Sequence, residues 1–130
     1  MNMVVARARG LIGTRFRLQG RATETGIDCL GLVIVAFGLP VNIGRRNYPM
    51  RGVARAEIEA GLAPWFKRIA RTRVEAGDLL LLQPGPGVLH LGVSSGSGMI
   101  HADVRHGVVE RPGAPPWPMV LAFRRRARRA

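Results

Sequence analysis

Cysteine occurs once in this sequence, at position 29. One cysteine excludes an internal disulfide framework and any zinc site built on several cysteines, and it leaves the redox compartment unread. Long apolar runs are missing too. None approaches the roughly 18 to 20 residues that cross a bilayer, so no membrane span is expected and the chain should be soluble. Aromatic residues make up only 5%, too few to suggest a platform for stacking single-stranded bases. Lysine is nearly absent: Lys67 is the exception among twenty basic residues, the rest being arginine. Against eight acidic residues this gives a formal net charge of +12, a balance that favours anionic partners such as nucleic acid, acidic membranes or an anionic polymer. The arginines are nevertheless spread along the chain and cluster only in FRRRARRA, and together with abundant Ala, Gly, Val and Pro they are equally what a GC-rich genome writes. No specific nucleic-acid binding is expected. The opening MNMVVARARGLIG sets Arg7 and Arg9 where a signal peptide needs its apolar core, so no export signal is expected in the chain as it stands.

What is present suits one globular unit. With 47% hydrophobic and 22% charged residues over 130 positions, the chain can bury a core but cannot divide into two ordinary domains. One domain over residues 1–123 is expected, followed by a solvated basic tail at 124–130. Val4, Val5, Ala8, Leu11 and Ile12 recur at helical spacing, predicting a short amphipathic helix ended by Gly13. A polar loop then leads to Asp28, a candidate N-cap for a helix whose first turn holds Cys29. The run LGLVIVAFGLP, ended by Pro40, reads equally as a buried helix or, through Val33-Ile34-Val35, as a buried strand. Residues 41 to 52 are turn-rich. A second helical stretch, broken near Pro64, is predicted over about 53 to 70, with Ile58, Leu62, Trp65, Phe66 and Ile69 inward. After Gly77 the period changes: DLLLLQ, VLHLGVSS, GMIHADV, GVVERP and PMVLAFR are short apolar segments parted by Gly and Pro, the pattern of an antiparallel meander. PGAPPWP reads as a stiff connection before the last strand. The fold class is therefore α+β, helices first and sheet second.

Two histidines carry chemical interest. Alternation along VLHLGV puts Leu89, Leu91 and Val93 on one face and Val88, His90 and Gly92 on the other, with Gly92 leaving space beside His90. In GMIHADV, Met99, His101 and Asp103 share a face, so neighbouring strands would set His90 and His101 side by side. Taken singly, a lone cysteine is usually a buried hydrophobe and a strand histidine a satisfied polar residue. Together, a nucleophile, a base and a group to orient the base are present in the right residue types. A helix N-terminus at Cys29 would favour its thiolate; a strand there would not.

In order, GLIGTRFRLQG, GIDCLGLV, AGDLLLL, HLGV and MIHA resemble the NlpC-type cell-wall peptidases, papain-like cysteine enzymes that cleave peptidoglycan stem peptides. The landmarks run from about residue 5 to 123. The resemblance implies that Cys29 is the nucleophile, His90 the general base and acid, and His101 the orienting third residue. It implies a Cys helix packed on an antiparallel sheet, with the Cys29 amide contributing to an oxyanion hole and no metal or organic cofactor. Asp28 matches an acidic position with two readings, contact with a substrate amine and helix capping, of which capping is preferred; Asp78 matches a structural position. Phe16 and Leu30 depart from the tyrosine and serine of many members, and both positions shape the substrate site. GIDCLGLV, with MIHA, GVVERP, PW and AF downstream, is most similar to the short versions encoded with phage tails and gene transfer agents. The expected partners are accordingly peptidoglycan stem peptides and phage-like tail proteins, with synthesis in the cytoplasm and action in the periplasm. An inactive structural tail component with the same fold is the alternative.

Overall fold

A computed structural model describes residues 2–40, 52 and 54–127. Helix α1 (Met3–Arg9) starts where the Asn2 side chain accepts the Val5 amide at 3.1 Å, satisfying one of the unpaired donors of a first turn. It buries Val5 and Ala8 against helix α2 (Cys29–Phe37). It ends at Arg9 with Gly10 as cap, earlier than the predicted stop at Gly13, and Ile12 is exposed rather than on the buried face. The expected polar loop carries a two-stranded hairpin, β1 (Arg21–Ala22) and β2 (Gly26–Ile27), with Arg21 opposite Ile27.

Residues 29–37 are helix, not strand. Asp28 caps the helix, and Gly38 in the left-handed conformation (φ 66°) ends it two residues before Pro40. Of its nine residues only Val35 is not fully buried, which is why no polar face announced it. Helix α3 (Arg55–Leu62) buries Ile58 and Leu62. Beyond Pro64 the predicted helix does not resume. Phe66–Ile69 is instead strand β3, paired along its length with the last strand, β8 (Met119–Arg125). Apart from Gly52, the turn-rich segment lies outside the described residues.

Strands β4 (Leu79–Gly85), β5 (Val88–Ser94), β6 (Gly98–Asp103) and β7 (Gly107–Pro112) form the expected meander, and β8 returns to the far side of β4, giving the order β3-β8-β4-β5-β6-β7 in one antiparallel sheet. One face, with Leu79, Leu81, Leu91, Val93 and Phe123, packs under α1 and α2 as the main core. The other buries a smaller cluster of Leu80, Leu82, Met99 and Ala122. β8 runs to Arg125, and Arg124 forks onto the buried Asp78 (Nε to Oδ1 2.9 Å, Nη2 to Oδ2 2.8 Å), so the first residues of the basic stretch are tied to the sheet. No helix among the described residues is long and apolar enough to cross a membrane.

Candidate active site

Cys29 is the first residue of α2, and its position is set by backbone contact. Gly31 lies so close to Gly20 that a Cβ there would overlap the Gly20 carbonyl, so the hairpin abuts the first turn of the helix. Residues 15 to 17 close the opposite side: the Ile27 amide donates to the Arg15 carbonyl at 3.0 Å, the Arg17 amide to the Ile27 carbonyl at 3.1 Å, and Phe16 bridges Ile27. Phe16 is half-buried against the main core, and its bridge partner Ile27 directly precedes Asp28.

Asp28 is buried and accepts three hydrogen bonds. Its Oδ1 accepts the Gly31 amide at 2.9 Å and Arg21 Nη1 at 2.9 Å, while Oδ2 accepts the Gln19 amide at 2.8 Å. The capping reading of this residue is thus what the geometry displays.

The histidines meet as the alternation predicted. β5 and β6 pair at Val93–Ile100 and Ser94–Met99 only; beyond that the strands part. On the parted ends His90 Nε2 lies 2.9 Å from His101 Nδ1, with the rings at 89°. Both rings stand on the sheet face of the smaller cluster. Cys29 belongs to the main core on the other face, and the Leu91 amide, next in chain to His90, hydrogen-bonds toward the thiol at the gap. The space left by Gly92 is taken by the Met99 side chain.

Burial dominates the electrostatics. It pushes the Cys29 thiol up to about 12, helped by the Asp28 charge and opposed by the Leu91 amide, Arg21 and the residue's own N–H. It pushes His90 down to about 4, with His101 adding to the effect and Asp103 opposing it. His101 is lowered as well, by burial first. At neutral pH these shifts favour a thiol and two neutral imidazoles.

A groove of about 340 Å³ opens beside the pair, lined by His90, His101 and Trp117 with Pro84, Asp103 and Arg105 among others. Trp117 stands edge-to-face with both imidazoles, at centroid distances of 5.5 Å and 5.4 Å. Sequence reasoning missed this residue, because a Pro-rich connection has no period from which a direction can be read. It also missed Arg21, one arginine among many. His106 is a surface residue, paired with Asp103 at 2.8 Å.

Residues 13–120 match the profile of the NlpC/P60 family. Over 100 residues, 75% of this chain and 46% of the relative, the sequence is 31% identical to the murein DD-endopeptidase MepS/murein LD-carboxypeptidase of Escherichia coli K12. The chain spans about half the length of the curated relatives it matches. Among solved structures, the NlpC/p60 domain of the peptidoglycan hydrolase SagA superposes with a TM-score of 0.57 at 26% identity, over 85% of this chain and 86% of that one. The peptidoglycan hydrolase RipB of Mycobacterium tuberculosis does so with a TM-score of 0.59 over 94% and 62%, and at 23% identity that likeness is one of fold.

Proposed function

The chain belongs to the NlpC/P60 family, and from that premise we propose that it hydrolyses an amide bond in peptidoglycan stem peptides, with Cys29 as nucleophile, His90 as general base and acid, and His101 as orienting residue. The observation that carries this reading is the 2.9 Å bond from His90 Nε2 to His101 Nδ1 on strands that part beside the capped N-terminus of the cysteine helix. Because Nε2 is engaged, Nδ1 is the His90 atom free to move a proton. For Nδ1 to accept, His90 carries its own proton on Nε2 and donates it to His101 Nδ1, which puts the His101 proton on Nε2, an atom buried without a hydrogen-bond partner among the described residues.

In the proposed cycle His90 Nδ1 takes the thiol proton as the sulfur attacks the carbonyl carbon. The oxyanion is held by the Cys29 amide at the helix start. The C–N bond breaks as imidazolium protonates the leaving amine, and His90 then deprotonates the water that opens the thioester, returning the thiol. Phe16, beside the Asp28–Cys29 step, forms part of the substrate wall, and Asp28 holds the helix start.

The test is digestion of purified Gram-negative sacculi by the wild type and by Cys29→Ala, with products identified by mass spectrometry. New stem-peptide fragments are expected from the wild type alone. Their absence from both, with the wild type folded, would favour a structural component that keeps the fold without turnover. We further propose delivery with a phage-like tail or gene transfer agent, made in the cytoplasm and acting in the periplasm; the likeness of GIDCLGLV and MIHA to such proteins supports it. The chain should then co-purify with particles, and its absence from them would end that placement.

A further inference from the structure

Trp117 is placed by the chain that carries it. Strands β7 and β8 are separated in the sheet by β6, β5 and β4, so the connection 113–118 has to cross three strands. Four strand spacings are about 19 Å across. The chain from Pro112 to Met119 reaches at most about 25 Å when fully extended, which leaves this strap little slack. Both of its ends are tied: the Gly113 amide donates to the Ser97 carbonyl at 2.8 Å, and the Gln83 amide to the Pro118 carbonyl at 3.0 Å. Pro115, Pro116 and Pro118 fix their own φ angles within it. The strap runs over the smaller cluster of the sheet, where Trp117 packs. Its indole lies 5.5 Å from His90 and 5.4 Å from His101, rings that are themselves 5.1 Å apart. An indole almost equidistant from both stands beside the hydrogen bond that joins them, not beside one ring. Met99, of the same cluster, fills the space over Gly92 next to His90. A hydrogen bond enclosed in this way is strengthened by the low local dielectric and weakened wherever water can compete for its ends.

We infer that Trp117 is a positioning residue for the histidine pair: held by the taut strap, it keeps water off the bond from His90 Nε2 to His101 Nδ1, and so confines the His90 proton to Nε2 and leaves Nδ1 free as the base. Water in place of the indole would offer an acceptor to His90 Nε2 and a donor to His101 Nδ1, and the two tautomers of His90 would then interconvert. The confinement of the proton depends on the ring geometry alone; its bearing on rate rests on the hydrolase reading above, and deepens it.

Heteronuclear NMR of the histidine rings in the full chain, near neutral pH, reads both the tautomer and the solvent exchange of the bonded proton. In the wild type and in Trp117→Phe, His90 is expected as the Nε2–H tautomer alone, with that proton visible and slow to exchange. Trp117→Ala should show mixed tautomers and lose the proton to solvent. The double variant Pro115→Gly/Pro116→Gly slackens the strap while keeping the indole, and should fall between the two. On a soluble stem peptide, Trp117→Ala should lower kcat several-fold and change KM less. A single tautomer with a protected proton in Trp117→Ala, or a His90 proton on Nδ1 in the wild type, would overturn the inference and leave Trp117 as a wall of the groove. If Trp117→Ala does not fold, the proline variant decides by the same signals: exchange as slow as in the wild type overturns the inference, and faster exchange with mixed tautomers supports it. If the wild type cleaves nothing, the tautomers still decide where the proton is held, and only the hydrolase reading falls.

Discussion

His90 and Cys29 titrate in opposite directions, and each leaves a mark on stability. Folding lowers the His90 value from 6.5 to about 4, so between those limits the unfolded chain binds a proton that the folded one refuses. Stability is full above about 6.5 and falls as pH drops toward 4, at up to about 1.4 kcal/mol per unit for one proton. Cys29 is raised from 9.0 to about 12, so the folded chain keeps a proton that the unfolded one gives up, and stability falls as pH rises from 9 toward 12. Thermal unfolding is therefore expected to be most resistant between about pH 6.5 and 9. Cys29→Ala should flatten the alkaline side, and His90→Gln should reduce the acid side without removing it, since His101 is lowered too. Unchanged limbs in both variants would mean that the two side chains are not buried as described. Trp117 belongs to the same scale. Its edge-to-face contacts with both imidazoles are worth about 0.5–1.5 kcal/mol each, so Trp117→Ala should lower the melting temperature and cut kcat several-fold, with Trp117→Phe retaining most of both. Cys29, His90 and His101 could be picked out from the sequence because nucleophile and base chemistry restricts them to few residue types. Trp117 and Arg21 could not, since what sets them apart is which neighbour they touch across a loop.

At the level of elements, the start of α2 is stabilised by one carboxylate with three partners. Asp28→Ala removes an N-cap and leaves Arg21 without its partner, an expected loss of about 2–4 kcal/mol in urea unfolding. Asp28→Asn should lose less, because an amide oxygen still caps the Gly31 amide. A cost below about 0.5 kcal/mol for Asp28→Ala would show that the cap and the pair contribute nothing net. The cap was legible: an acidic residue directly before an apolar run is a local signal. Whether that run was helix or strand was not, since burial on every side erases the periodicity that separates them. β3 failed for a related reason. Ile58, Leu62, Trp65, Phe66 and Ile69 fit a helical stripe, but Pro64 stops the helix, and Phe66–Ile69 finds its hydrogen bonds on β8, more than fifty residues away in sequence. No local rule sees such a partner.

For the molecule as a whole, the last strand decides whether the sheet exists. The meander from Gly77 onward was readable because each hairpin joins neighbours in sequence, whereas the return of β8 between β3 and β4 is a non-local choice. That choice has consequences for both faces. Leu121 and Phe123 enter the main core, Ala122 enters the smaller cluster, and β8 pairs with β4 from Leu79–Phe123 to Leu82–Met119. Arg124 closes the arrangement by forking onto Asp78 at the base of β4, whose other oxygen-bound donor is the Glu75 amide at 2.7 Å. Arg124→Ala leaves that buried carboxylate short of a counter-charge and should lower the melting temperature. Deleting residues 118–130 goes further: it detaches β3, exposes one edge of the Leu79–Leu82 run and opens both clusters. The truncated chain is expected to show no cooperative thermal transition and to bind a hydrophobic dye, while Arg124→Ala unfolds cooperatively at a lower temperature. A truncated chain that still melts cooperatively within a few degrees of the full one would mean that the four-strand meander folds without β8, and that the sheet order described above is not what holds the cysteine helix in place.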